Sequence, residues 1–313
     1  MFSAVSPLVR ALPKQQQPSA RSVIPRSARV DLGFDATRNI VRGAATTLIL
    51  LLLGSATAAQ NSLLKNVELC NGSDRSSPDP QIAGCTAIIE VGDQTTYVVS
   101  IAYNNRGNAL TAKGDYDRAV QDFDQSIKLN PGYARAFNNR GVAYQKKREY
   151  DRAIEDFDEA IKLNPNYANA FANRAETHQK KNQYDRAAQD YDQAIRLEPN
   201  LEAVWNGRCW VRAILGELPA ALEDCNKALQ LDPKDGATYD SRGLIYLKMG
   251  QFDSAIDDYS SALRFEPKLA SALYGRGLAK LKKGDATAGN ADIAAARTIE
   301  TKIGDDFARY GVR

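Results

Sequence analysis

The sequence predicts an all-α solenoid of about six helix-turn-helix units, on three observations. Aligning "GDYDRAVQDF", "REYDRAIEDF", "NQYDRAAQDY", "GELPAALEDC", "GQFDSAIDDY" and "GDATAGNADI" reveals a constant step of 34 residues, giving units 100–133, 134–167, 168–201, 202–235, 236–269 and 270–303. Apolar and small residues recur within each unit at helical spacing. Pro and Gly punctuate the periodic runs at fixed places, where a helix must end.

The first element is a leader, residues 1–59. It holds seven of the 41 Lys/Arg and two of the 38 Asp/Glu, which leaves 34 basic and 36 acidic side chains for the rest. The basicity therefore belongs to the leader, and the remainder lacks the clustered positive charge of a nucleic-acid surface. Arg38 and Arg42 precede a ten-residue apolar run, Ala44 to Leu53, and "SATAAQN" offers cleavage after Ala58 or Ala59. Ten residues are too few to cross about 30 Å of hydrocarbon as a helix. The leader reads as a secretion signal, with a periplasmic or secreted product and no stable membrane span after cleavage. An uncleaved anchor is the alternative, as is an organelle transit peptide for the Arg- and Ser-rich residues 1–37.

Residues 60–99 follow. "ELCNGSDRSSPDPQIAGCTAIIE" looks like a stripped half-repeat, because Cys85 stands 34 residues before Ala119, the small packing site of the first unit. The segment is expected to be an N-terminal cap pinned by Cys70–Cys85. A loop of that size stabilises by roughly 3 kcal/mol on the chain-entropy model.

Each unit then divides in two. In the second unit Phe137, Gly141 and Tyr144 mark one helix, and Tyr150, Ala153, Ile154, Phe157, Ala160 and Ile161 share a face of the next. Pro131, Pro165, Pro199, Pro233 and Pro267 close successive units. Gly114, Gly216, Gly250 and Gly284 suit a left-handed turn between the helices, Asn182 tolerates it, and Arg148 fits it poorly. The sixth unit departs from the others at Gly289 and Thr301, and the tail 304–313, with Phe307 and Tyr310 following Ile303 on one face, reads as a C-terminal capping helix.

Gly141, Tyr144, Ala153, Phe157, Ala160 and Pro165, repeated at the same spacing in the other units, resemble the tetratricopeptide repeat. The resemblance covers residues 100–303 and implies a right-handed superhelix whose concave groove is lined by the first helix of each unit. With its leader and Cys-bracketed cap the chain is also similar to exported repeat proteins of alphaproteobacteria. Some members of the family clamp chaperone C-termini with Lys, Asn and Arg. Asn108 and Asn139 match the Asn sites of that clamp, but Asn104, Asn169 and Asn173 replace its basic residues.

In the fourth unit Cys209 takes a site that is Gly141 or Ala175 elsewhere, and Cys225 one that is Phe157 or Tyr191. A small residue against a large one has become two of middling size, which conserves volume. A disulfide is expected there, with two packed thiols as the alternative. No C-x-x-C spacing and a single His argue against a metal site.

An ion-pair ladder is the next expectation. Arg106, Arg140, Arg174, Arg208, Arg242 and Arg276 occupy the seventh place of each unit, and Asp122, Asp156, Asp190, Asp224, Asp258 and Asp292 follow sixteen residues later. The family usually has an apolar residue at the seventh place. Equal numbers at fixed spacing point to a structural ladder rather than a row of anion sites.

Catalysis has little to stand on. His178, the one His, sits where other units have Tyr144 or Tyr246 and reads as a packed residue. No phosphate-cradling glycine motif is present, so neither an enzyme nor a cofactor is expected. Groove-facing places five, nine, twelve and thirteen are polar in the first three units, with Asn104, Asn108, Asn138, Gln145, Lys146, Glu176, Gln179 and Lys180. They are apolar in the last three, with Trp210, Ile214, Leu244, Leu247, Tyr274, Leu278 and Leu281 beside Lys248 and Lys282. The expected function is a non-enzymatic scaffold of the cell envelope binding a protein or extended peptide in that groove, with Trp210 as anchor. The alternatives are an accessory subunit of an envelope enzyme or polysaccharide-assembly complex, and a mainly self-associating protein.

Overall fold

In the computed structural model, which describes residues 60–72, 77–91 and 94–312, helices follow one another with short connections. The leader and its secretion signal lie outside the described residues. Helix α1 (described over 60–70) and α2 (Asp79–Glu90) precede six hairpins. These are α3 (Thr96–Lys113) with α4 (Tyr116–Leu129), α5 (Ala134–Lys146) with α6 (Tyr150–Leu163), and α7 (Ala168–Lys180) with α8 (Tyr184–Leu197). Then come α9 (Glu202–Leu215) with α10 (Leu218–Leu231), α11 (Gly236–Lys248) with α12 (Phe252–Phe265), and α13 (Ala270–Lys282) with α14 (Ala286–Ile299). A short α15 (Ile303–Arg309) ends the chain.

Each helix packs on its hairpin partner and on the next hairpin. The first helices of successive hairpins also touch one another, most extensively α9, α11 and α13, whereas the second helices make no comparable row. The first helices therefore form the inner, tighter side of the curve, and the second helices the outer side.

Local chemistry explains the element boundaries. Thr95 caps α3 by accepting from the Val98 amide, so α3 starts before residue 100 and runs across the boundary expected between cap and first unit. Gly114, Gly216, Gly250 and Gly284 are left-handed at the hairpin turns, and Arg148 and Asn182 adopt the same conformation with φ of 64° and 58°. Arg148 thus accepts a backbone conformation that costs a side-chain-bearing residue about 1 kcal/mol or more. The segment expected to cap the N-terminal end holds two helices, α1 and α2. Cys70 at the end of α1 is bonded to Cys85 in α2 across a Cα–Cα distance of 4.5 Å.

Helix-helix contact is close because a small residue faces a ring. A Cβ on Gly107 or Gly141 would come 2.7 Å from the ring of Phe123 or Phe157 in the paired helix. Cys209 and Cys225 take those two positions in α9 and α10 and are bonded, with Cα atoms 5.4 Å apart. Gly289, the departure in the last hairpin, lies so near Leu281 and the Gly277 carbonyl that its own Cβ would sit 2.8 and 2.9 Å from them. α13 and α14 therefore pack backbone to backbone at this point.

Candidate functional site

The guanidinium at the seventh place of every unit is held from three sides. Arg106, Arg140, Arg174, Arg208, Arg242 and Arg276 donate through Nε and Nη2 to both oxygens of Asp122, Asp156, Asp190, Asp224, Asp258 and Asp292, at 2.6–2.9 Å. The remaining Nη1 turns to the preceding unit, to Asp124, Asp158, Asp192, Asn226 and Ser260 for the last five, and to Thr86 for Arg106. Below each of the first five lies an aromatic ring from the same helix (Tyr103, Phe137, Phe171, Trp205 and Tyr239), 4.9–5.6 Å from the guanidinium carbon. The hydrogen bond to Asp122 raises Arg106 above its ordinary pKa against the pull of burial, and Asp258 does the same for Arg242. These side chains are committed within the framework. The preceding-unit carboxylates were legible as a second Asp two places after the first, at Asp124, Asp158 and Asp192.

On the inner side of the first hairpins the asparagines bond to one another. Asn139 donates to Asn104 and Asn173 to Asn138, both at 2.9 Å, while Asn105 reaches Asn71 at 3.4 Å. Asn104 and Asn138 also donate to Asn105 and Asn139 beside them. Asn104 and Asn138 are consequently buried and not open groove contacts, whereas Asn108 is exposed. Gln145 donates to Thr177 and Gln179 accepts from Tyr191, leaving Lys146 and Lys180 exposed.

The row of asparagines stops where a tyrosine replaces phenylalanine on the outer helix. Gly207 lies against the Tyr191 hydroxyl and Gly275 against that of Tyr259, each at the place where Asn139 and Asn173 stand. Only a glycine leaves room for the extra oxygen, so the asparagine is lost. Past this point the inner face is apolar, and the chain covers it with its own end. Ile303, Phe307 and Tyr310 are buried in one cluster with Leu244, Leu247 and Tyr274, against which Trp210, Ile214, Leu278 and Val312 pack. Tyr310 meets Trp210 edge-on at 5.4 Å between ring centres, and Phe307 meets Tyr274 at 4.9 Å. Tyr184 closes the other side of Trp210 at 5.8 Å.

The apolar residues expected to line an open groove are thus brought together and closed over. Lys248, expected at its rim, donates instead to the Ala213 carbonyl in the last turn of α9 at 2.6 Å, and burial lowers its pKa. Leu281 packs beside Gly289. Beneath the tail lies a cavity of about 20 Å³ lined by Trp210, Asp240, Ser241, Leu244, Tyr259, Ser271, Phe307 and Tyr310. Asp240 stands at the fifth place, where other units have Asn104, Asn138, Ala172, Asn206 and Tyr274. That break in the pattern was the one sequence signal for it. Ser271 donates to Asp240 Oδ2 at 2.7 Å, while Oδ1 is sealed from solvent with no partner. Burial pushes this carboxyl up to about 7.

Comparison with known proteins accounts for the repeated architecture. The family model described as "Tetratricopeptide repeat" matches residues 134–167 and 168–201, and that described as "TPR repeat" matches 107–148 and 243–284. Residues 107–201 and 243–284 of this chain are tetratricopeptide repeats. A tetratricopeptide repeat protein from Parabacteroides merdae is similar over 80% of this chain and 99% of its own, with 17% identity and a TM-score of 0.60. PilW, a type IV pilus biogenesis factor, is similar over 64% of this chain and 93% of its own, at 18% identity and TM-score 0.59. Pseudomonas aeruginosa pilF covers 68% and is covered over 95%, at 17% identity and TM-score 0.56. At such identities these likenesses establish the fold, a right-handed superhelical solenoid. No curated protein matches the sequence.

Tetratricopeptide repeats are protein-interaction scaffolds, and the repeat itself is non-catalytic. The ring of His178, the one histidine, is buried between Gln183 Oε1 at 2.7 Å from Nδ1 and Asp190 at 3.8 Å from Nε2. It is packed within the α7–α8 hairpin. Among the described residues no cluster of three or more His, Cys, Asp or Glu could hold a metal ion. No helix among them is long and apolar enough to cross a membrane.

Proposed function

We propose that the chain is a non-catalytic scaffold of the cell envelope that takes a protein or an extended peptide on its concave face. One observation carries this reading: the inner side of the last three units already holds a peptide segment, residues 303–312, through Trp210, Leu244 and Tyr274. A surface that seats one amphipathic helix in cis is built to seat another in trans. The leader and the two disulfides support an envelope setting, because such bonds persist in oxidising compartments.

Photo-crosslinking from the native envelope tests the proposal. A crosslinking side chain at Asn108, exposed on the inner face, is expected to capture a partner that one at Glu155, exposed on the outer helix α6, does not. Capture from Glu155 alone would move function to the convex side.

A further inference from the structure

Among the described residues, four buried side-chain atoms lack a hydrogen-bond partner, and each belongs to the tail, to the lining of the small cavity or to the helix that carries Trp210. Asn206 Oδ1 lies one helical turn before Trp210, Asp240 Oδ1 and the Tyr259 hydroxyl belong to residues lining the small cavity, and Asp306 Oδ2 is on the tail itself. Orphaned buried polar atoms are rare and costly, so their clustering points to a site whose occupant is not the best one available. Asp240 Oδ1 accepts from no group, and no Lys or Arg lines the cavity beside it.

The tail adds to the mismatch. It contributes Asp305 and Asp306, and Arg309, its one basic residue within the helix, is turned back on Asp306. Glu266 adds negative charge near Asp240. The tail satisfies the apolar part of the groove through Ile303, Phe307 and Tyr310 but leaves Asp240 Oδ1 without a partner. The surrounding rings of Tyr184, Trp210 and Tyr274 are surfaces that favour a cation.

Resting on the reading of this face as a peptide site, we propose that residues 303–312 are a displaceable occupant of the groove. The ligand that displaces them is an amphipathic helix of another protein, carrying a Lys or Arg among its apolar side chains to meet Asp240. The tail keeps the apolar surface covered until such a helix arrives, and the buried acid selects which helix succeeds.

The test uses the full chain and a synthetic peptide of residues 301–312 carrying Y310K, beside the unsubstituted peptide. Hydrogen exchange of the 303–312 amides in the protein is expected to quicken about tenfold or more with the Y310K peptide, and little with the unsubstituted one at equal concentration. Asp240→Asn should weaken the Y310K peptide by about tenfold, a difference of about 1.4 kcal/mol. Equal binding of both peptides, binding untouched by Asp240→Asn, or binding that leaves tail exchange unchanged would each overturn the proposal. A second variant works in cis: Tyr310→Lys in the full chain should slow tail exchange, and faster exchange would contradict the role given to Asp240. A partner still crosslinked through Asn108 while the Y310K peptide fails would leave the scaffold reading standing and remove this one.

Discussion

Tyr259 on α12 presses its ring and hydroxyl against Gly275 on α13, so closely that a Cβ at position 275 has no room. The hydroxyl has no hydrogen-bond partner in its buried position. Gly275→Ala is therefore expected to destabilise by about 1–3 kcal/mol through overpacking. Tyr259→Phe should be neutral or slightly stabilising, because it deletes an unsatisfied group. Urea unfolding of both variants decides; a tolerated Gly275→Ala would mean that the contact is not as close as described.

The Arg ladder predicts unequal costs at equivalent positions. Asp156→Ala leaves Arg140 with Asp124 as a second carboxylate, whereas Asp258→Ala leaves Arg242 with only the neutral Asn226. Both should destabilise by a few kcal/mol, since a half-buried charge loses its main partner. Asp258→Ala should be the worse by about 1 kcal/mol in chemical denaturation. Equal losses would indicate that the inter-unit arm contributes nothing.

The fourth hairpin replaces a glycine-phenylalanine contact with Cys209–Cys225. The double substitution Cys209→Gly, Cys225→Phe restores the pair seen at Gly141 and Phe157 and is expected to fold without the bond. It should lose about 3 kcal/mol or less, the loop-closure contribution of a cross-link of this span. Cys225→Ala alone should cost more, because it leaves a cavity as well. Thermal melts under oxidising and reducing conditions compare the two.

Asp240 makes stability depend on pH. Its folded pKa is raised by burial to about 7, so the folded state binds the proton more tightly than the unfolded chain, and the associated stability is complete below about pH 4. It is lost as pH climbs towards 7. Ser271 from α13, the Tyr259 hydroxyl from α12, Tyr310 from the tail and nearby Glu266 are the polar or charged groups around it, and none offers a positive charge. Asp240→Asn is expected to gain on the wild type in melting temperature between about pH 4 and 7. A difference that does not change with pH would contradict this.

Much of this fold was readable because its determinants recur at short, fixed spacing. The 34-residue step, the turn glycines and the Arg–Asp interval of sixteen all reflect contacts within one hairpin. Arg148 was marked by its poor fit to the turn and adopts the left-handed conformation nonetheless. The inner face was harder to read. Helical register assigned Asn104 and Asn138 to an open groove, yet each is taken up by an asparagine 35 residues on, in the neighbouring unit. The meeting of Trp210 with Tyr310, one hundred residues away, depends on the curvature of the whole superhelix, which no local pattern encodes. Asp240 carried only the faint signal of an acid at a place otherwise Asn, Ala or Tyr.

Native-state hydrogen exchange on the unmodified full chain tests the central claim, that the C-terminal segment occupies a binding groove rather than completing a permanent core. Amides of residues 303–312 are expected to exchange through local opening at least about a hundredfold faster than those of α11 beneath them. If the tail and α11 exchange together, only on global unfolding, the tail is an integral cap and the groove of the last three units is not a binding site.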